Sequence, residues 1–224
     1  MYKPVKRLLD IIFAIVLLII CAIPMIISAI LIKLNDGGPV IFKQKRIGKK
    51  LKPFYIYKFR TMTTKRKQLD GTMTHDQMVT KVGKFLRKTS IDELPQLINI
   101  LKGEMSFIGP RPWIEDYYFF FTDEQKKRSD VLPGISGLAQ VKGRNGITIF
   151  QKINYDLEYV KKYNFILDLK IVFWTIQKVL IREEAEISEK GIKEELEELK
   201  NQNKDNKYQE VVWKIELKKQ YLVY

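Results

Sequence analysis

The chain of 224 residues holds one cysteine, so an internal disulfide framework is excluded. That residue, Cys21, lies inside an apolar run, where a packed, inert thiol is expected. There is also one histidine, His75, in the polar stretch QLDGTMTHDQM, which reads as a loop. A single histidine argues against a His-rich metal site and a Ser-His-Asp triad. Acidic residues are outnumbered, with 26 Asp and Glu against 40 Lys and Arg, for a formal net charge of +14. A surplus of that size points to an anionic partner: nucleic acid, a membrane surface or phosphorylated ligands. No P-loop or other Gly-rich phosphate motif suggests ATP, and there are no internal repeats.

What the sequence does hold begins with an uncharged run at 11–32, IIFAIVLLIICAIPMIISAILI. As a helix it would be about 33 Å long at ~1.5 Å per residue, roughly the thickness of a bilayer core. It is longer than the apolar core of a secretory signal, and no small-x-small cleavage site follows it. Being apolar on every face, it does not suit a soluble core helix. Both flanks are basic: Lys3, Lys6 and Arg7 precede it, and Lys33, Lys43, Lys45, Arg46, Lys49, Lys50 and Lys52 follow. The positive-inside rule then places both ends in the cytoplasm. Pro24, mid-run, deletes a helix hydrogen bond and favours a kink. A helix that enters the membrane, bends near Pro24 and returns to the same face satisfies both features better than a straight span.

Asp36-Gly37-Gly38-Pro39 breaks the pattern. Val40-Ile41-Phe42 and Phe54–Phe59 read as two strands of a basic hairpin that turns at 46–50. Residues 63–80 read as a polar loop and Lys81–Lys88 as a short basic helix. Residues 105–112 (MSFIGPRP) are expected to be irregular, and 131–146 to be a Gly-rich loop carrying Lys142 and Arg144. Five aromatics crowd into 114–124. Residues 165–181 are helical, with a core helix and an interfacial helix equally open. Beyond Arg182 the composition turns charged, as a solvated helix or tail. The expected division is a membrane helix at 1–36, a catalytic domain at 37–187 and a charged extension at 188–224. The fold class expected is α+β and mostly helical, with one small β-hairpin.

Within TSIDELPQLINILKG at 89–103, Asp92 and Glu93 stand side by side ahead of an apolar helix. Ser90-Ile91-Asp92-Glu93 fits a capping box, and acidic residues suit a helix N-terminus. Pro95 complicates that reading: with Ser90 as the cap it falls too deep, whereas a cap at Asp92 puts it in the first turn, where no amide is needed. Adjacent carboxylates repel, and nearby cations relieve them. Lys84, Arg87, Lys88 and Arg111 are close in sequence, and Mg²⁺ suits hard oxygen ligands. Arginine forks, a helix N-terminus and a carboxylate able to attack phosphorus together suggest phosphate chemistry.

Several long motifs carry a specific resemblance from about Lys6 to Arg182. They are KRLLDI at 6–11, the apolar run with its proline at 24, IYKFRTM at 56–62, GKFLRKTSIDELPQLINILKGEMSFIGPRP at 83–112 and PGISGLAQVKGRN at 133–145. The chain resembles the small monotopic phosphoglycosyl transferases of the bacterial sugar transferase family. That resemblance implies transfer of a sugar 1-phosphate from a UDP-sugar to a polyprenol phosphate such as undecaprenyl phosphate, with UMP leaving. It implies that Asp92 is the nucleophile and also contacts Mg²⁺, and that Glu93 is its dyad partner. It places Lys58, Arg87 and Arg111 near the phosphates, and Arg144 with its loop near the donor. It further implies a re-entrant helix in a bacterial inner membrane, with the catalytic domain on the cytoplasmic face against anionic lipid. The family's helix break is often Ser-Pro and here it is Ile23-Pro24, which leaves the sharpness of the bend open. Long-form members carry further transmembrane helices before the catalytic domain, and none is expected here. A lipid-phosphate hydrolase and a membrane-anchored scaffold or nucleic-acid binder are the weaker alternatives; no nucleic acid is expected as partner. The sugar, and assembly as monomer or homodimer, are left open.

Overall fold

The computed structural model describes residues 2–64, 78–143 and 147–180, together with Glu197. His75 and its loop, Arg144 and the charged segment after Arg182 lie outside the described residues. Two helices, α1 (Tyr2–Ile20) and α2 (Ala22–Asp36), begin the chain and meet at Cys21 with a bend of 61°. Pro24 explains where the ladder fails. Its ring nitrogen cannot donate to the carbonyl four residues back, so the first helix stops and Pro24 takes a first-turn position in the second. Ser28 closes the next turn, its hydroxyl donating to the Pro24 carbonyl at 2.7 Å. Neither helix alone is long and apolar enough to cross a membrane, but the bent pair taken together is.

A basic hairpin follows, of β1 (Ile41–Ile47) and β2 (Pro53–Phe59), antiparallel and in continuous register from Ile41↔Phe59 to Ile47↔Pro53. The first strand is longer than the sequence suggested. Lys43, Gln44, Lys45 and Arg46 continue it, and the reversal falls at 48–52, where Lys50 and Leu51 take positive φ. Then come α3 (Lys81–Lys88), a single 3₁₀ turn at Ile91–Glu93 and α4 (Gln96–Lys102). The segment expected to be irregular contains β3 (Ser106–Ile108), and the expected Gly-rich loop contains β4 (Gly134–Ser136). These two pair in parallel, a second small sheet that the sequence reading missed. Between them lie α5 (Glu115–Tyr118) and α6 (Asp123–Lys126), and after them α7 (Leu138–Lys142), α8 (Ile149–Lys162) and α9 (Phe165–Leu180).

The core is divided among small clusters. Ala14, Phe54, Ile56, Leu97, Ile100 and Met105 join α1, β2 and α4. Ile32, Phe59 and Leu86 join α2, β2 and α3. The crowded aromatics Tyr117, Tyr118, Phe120 and Phe121 pack with Ile47, Ile149 and Ile153. Asn99 is fully buried and serves as a substitute strand: its amide donates to the Tyr55 carbonyl at 2.7 Å, and its oxygen accepts from the Tyr57 amide at 3.1 Å. That covers the free edge of β2 with a side chain of α4.

Two apolar surfaces remain outside the core. Along α1 and α2, Leu8, Phe13, Ile19, Ile23, Ile26 and Leu34 are exposed. Of α1, only Asp10 and Ala14 are buried. In α9, Ile171 is fully buried, whereas Phe165, Ile166, Leu169, Phe173 and Ile176 are exposed. One face of α9 is therefore core and the other is bare and apolar.

Polar residues of α1 fix its seat. Arg7 donates to the carbonyls of Ile100 at 2.6 Å and Leu101 at 2.9 Å, capping the C-terminal turn of α4. Asp10 accepts from the Ser106 hydroxyl at 3.1 Å and the Phe107 amide at 3.2 Å. Lys6 meets Asp168 of α9 at 2.5 Å, where Tyr2 and Tyr159 also donate. Arg7→Ala is expected to lower stability by about 1–3 kcal/mol, since it removes charged donors from partly buried carbonyls. Thermal unfolding of the detergent-purified variant, monitored by tryptophan fluorescence, measures it.

Candidate active site

The acidic pair does not cap a helix. Ser90 adopts the left-handed conformation, φ 56°, and its side chain makes no cap hydrogen bond. The apolar helix starts only at Gln96, with Pro95 at its N-cap. Neither proposed cap is therefore realised. Asp92 and Glu93 sit instead in the isolated 3₁₀ turn, two residues before Pro95. The left-handed residue at 90 reverses the chain after α3, and the short turn presents both carboxylates beside β2.

Four elements supply the surrounding cations. Lys58, near the end of β2, makes an ion pair with Glu93. Arg111, in the loop after β3, lies 3.9 Å from the same Glu93 oxygen. Arg87 of α3 donates from Nε to the Thr61 hydroxyl at 3.0 Å. Arg46 of β1 lines a cleft with Lys58, Glu93, Gln96 and Arg111, closed by Ile56, Pro112, Gly134 and Ile135. The cleft is shallow, with a cavity volume of about 20 Å³, and opens to solvent. The structure thus gathers Lys58, Glu93 and Arg111 in one cleft, with Asp92 next in the chain and Arg87 close enough to bias its charge. Arg46 and Thr61 were not foreseen. Arg46 had been read as part of the hairpin turn, and a threonine gives no sequence signal of this kind.

Tight backbone approaches hold these side chains. A β-carbon at Gly83 would stand 2.0 Å from the Thr61 carbonyl oxygen, so α3 can approach Thr61 only with glycine there. Thr80 caps the same helix, its hydroxyl accepting from the Gly83 amide at 2.9 Å. Below the Arg111 loop lies Arg128, buried with Asp156. Its guanidinium reaches Asp156 at 2.6 Å, the Tyr118 hydroxyl at 2.6 Å and the Arg111 carbonyl at 2.7 Å, and it lies 4.4 Å over Trp113. The guanidinium's contacts offset the cost of burying it, whereas the second Asp156 oxygen, Oδ1, is buried without a partner.

The two neighbouring carboxylates respond oppositely to one environment. Burial pushes Asp92 up; Lys58 and Arg87 pull it down and the Glu93 charge pushes it up again, leaving it at about 6. Burial would raise Glu93 as well, but Lys58 and Arg111, with a hydrogen bond from Lys58, hold it below its ordinary value. Glu93 is therefore a fixed anion in a cationic setting. Asp92 has no ion-pair partner among the described residues. It is a largely buried carboxylate whose midpoint lies within reach of neutral pH, the kind of perturbed group that marks a candidate site.

Magnesium fits this donor set. Among the described residues no group of three His, Cys, Asp or Glu could cage an ion. Mg²⁺ does not need a cage, since it keeps several waters and binds through one or two carboxylates plus substrate phosphates. Asp92, unpaired and partly open, is the carboxylate suited to hold it, while Glu93 is committed to Lys58.

The fold joins a bent apolar helix pair to a basic cleft lined by Arg46, Lys58 and Arg111, with Glu93 among them. The bacterial sugar transferase family model matches residues 1–182, and the chain belongs to that family. It is 46% identical over 178 residues to the uncharacterised sugar transferase EpsL of Bacillus subtilis (strain 168), covering 80% of this chain and 88% of that protein. It is 42% identical over 191 residues to the UDP-glucose:undecaprenyl-phosphate glucose-1-phosphate transferase of Klebsiella pneumoniae, covering 80% of this chain. A UDP-N-acetylgalactosamine-undecaprenyl-phosphate N-acetylgalactosaminephosphotransferase of Aeromonas hydrophila is also 42% identical, over 187 residues and 80% of this chain. The chain spans 41% and 44% of the length of those last two relatives.

The opposed environments give a test by carboxyl ¹³C NMR titration. Glu93→Gln removes a repelling charge, and the Asp92 midpoint is expected to fall from about 6 towards the ordinary carboxylate range. Lys58→Met removes an attracting charge, and the same midpoint is expected to rise. Shifts of equal sign in the two variants would contradict this electrostatic assignment.

Proposed function

We propose that this chain transfers a sugar 1-phosphate from a UDP-sugar to a polyprenol phosphate, releasing UMP. The observation that carries the reading is the unpaired Asp92 beside an ion-paired Glu93, among Lys58, Arg87 and Arg111. Relatives whose names give undecaprenyl phosphate as acceptor support it. Those names give different sugars, so the sugar is a matter for assay.

In the first step an Asp92 oxygen attacks the sugar-bearing phosphorus. The bond from that phosphorus to the oxygen of UMP breaks, and UMP leaves with the electron pair as an anion. Asp92 then carries the phosphosugar as an acyl phosphate. In the second step an oxygen of polyprenol phosphate attacks the same phosphorus and Asp92 is released as a carboxylate. Lys58, Arg87 and Arg111 hold and neutralise phosphate oxygens; Arg144 stands with them as a further donor residue on the resemblance alone. Glu93, kept ionised by Lys58 and Arg111, orients Lys58 toward the phosphates and stands as the dyad partner that activates the polyprenol phosphate. When bound, Mg²⁺ would supply charge neutralisation at the phosphates. The hydrolase alternative lacks a specific observation in its favour.

The α1–α2 pair enters and leaves the membrane on one side, and the exposed face of α9 lies in the interface. On this reading the cationic cleft lies at the cytoplasmic face of a bacterial inner membrane, where anionic lipid meets the basic surface. The chain is read as active without nucleic acid, and as a monomer or homodimer.

Purified protein with a panel of UDP-sugars, Mg²⁺ and undecaprenyl phosphate should release UMP only when the lipid is present for repeated turnover. Asp92→Asn should abolish release by about four orders of magnitude, since it removes the group that becomes bonded. With wild type, kcat/KM should fall about tenfold per pH unit below about 6, because only ionised Asp92 attacks. Release surviving in Asp92→Asn would displace Asp92 as nucleophile. Topology is tested separately with cysteines replacing Lys3 and Lys50 in a Cys21→Ser background. Labelling of both from the cytoplasmic side is expected, and labelling from opposite sides would defeat the re-entrant arrangement.

A further inference from the structure

Arg46 has the surroundings of a residue kept for a ligand. It projects from β1 into the cleft that holds Lys58, Glu93 and Arg111. Among the described residues no carboxylate makes an ion pair with it. Its Nη2 donates to the Gln44 side chain at 2.6 Å, and its Nη1 makes a long contact of 3.4 Å to the Pro112 carbonyl. Its Nε is shielded from solvent and has no partner. Burial, then repulsion from Arg111, depresses its guanidinium to about 10. A half-buried cation beside a second cation, with an idle donor, costs stability unless an anion arrives. Glu93 does not serve, because it is bound to Lys58 and lies 3.9 Å from Arg111. Arg46, Lys58 and Arg111 therefore face one carboxylate, and the cleft carries uncompensated positive charge.

We propose that Arg46 is a further binding residue, forming with Arg111 an anion subsite that takes a phosphate group in the cleft between the hairpin and the Arg111 loop. The assignment deepens the transferase reading and rests on it for the identity of the ligand. That group belongs either to the donor diphosphate or to the acceptor monophosphate, which share their oxygen chemistry. A guanidinium fork fits such oxygens in pairs, which a lysine cannot reproduce.

Inorganic pyrophosphate is the first probe, titrated against the full chain in detergent and followed by thermal shift. Arg46→Gln is expected to weaken its half-saturation by about tenfold or more, as loss of a charged hydrogen bond predicts. Arg46→Lys should recover part of that loss. Lys45→Gln, on the same strand but paired outward with Glu115 at 2.9 Å, should leave it unchanged. Should Arg46→Gln not fold, Arg46→Lys decides, with a weakening of several-fold expected. Wild-type half-saturation in the folded Arg46 variants, or an equal loss in Lys45→Gln, overturns the subsite. Kinetics then distinguish the source: a raised KM for the UDP-sugar assigns the donor, and a raised KM for polyprenol phosphate assigns the acceptor. If wild type releases no UMP from any donor, the transferase reading fails, while the pyrophosphate titration still decides the subsite.

Discussion

The rest of the molecule depends on how an apolar helix is held by three polar residues of its first half. Lys6, Arg7 and Asp10 lie on neighbouring turns of α1 and reach three different elements. Arg7 takes the end of α4, Asp10 takes β3, and Lys6 takes Asp168 on α9. Hydrophobic burial alone would not fix α1 there, because most of its apolar side chains remain exposed. Directional charged hydrogen bonds set its register instead. The turn that carries Asp92 precedes α4 directly, so the seat of α1 and the position of Asp92 are set by one piece of structure. Asn99, midway along α4, passes the same constraint to β2 and so to Lys58.

The environment of the acidic pair separates two groups that begin nearly alike. Titratable neighbours pushed apart in this way can take different roles at one pH. The sign of the stability effect follows. Asp92 sits higher in the folded chain than its ordinary value of 3.8, so stability falls as pH rises from about 4 to about 6, and the full cost of ionised Asp92 is present above that. That cost is about 1–3 kcal/mol. Glu93, held below its ordinary value, works in the opposite direction, and its contribution is lost as acid protonates it. The pair must be regarded as coupled, since each charge acts on the other.

Much of this was legible in the chain, for physical reasons that differ by element. The helices expected at 81–88 and 165–181 form at Lys81–Lys88 and Phe165–Leu180, and the bent apolar pair was marked by its uncharged length and Pro24. The bend is well formed without the serine that often precedes the proline in this family. The acidic pair stands out through its motif; the helix cap expected there is not formed. A Ser-x-x-Glu pattern cannot reveal that residue 90 will take the left-handed conformation. The short parallel sheet was missed because three-residue strands at 106–108 and 134–136 carry no periodicity of their own and exist only through their long-range pairing. Helix α8 went unnamed, although Thr148 and Gln151 form a capping box at its start. Arg46 was assigned to a turn because a run of polar residues hides strand alternation, and only the register with Phe54 places it in the cleft.

The divided surface suits the chemistry proposed for it. A nucleotide sugar comes from water and a polyprenol phosphate stays in lipid, so the two need not be held together if the sugar phosphate waits on the protein. A covalent carrier meets that need with one carboxylate, and one carboxylate is what the turn leaves unpaired. The paired Glu93 then has value through what it prevents: it keeps Lys58 from neutralising Asp92 outright. Were Lys58 to pair with Asp92 instead, the nucleophile would be masked in the resting state and every turnover would have to break an ion pair first. Adjacent carboxylates in a basic chain are thus a division of labour, in which one residue satisfies the cation so that its neighbour can react.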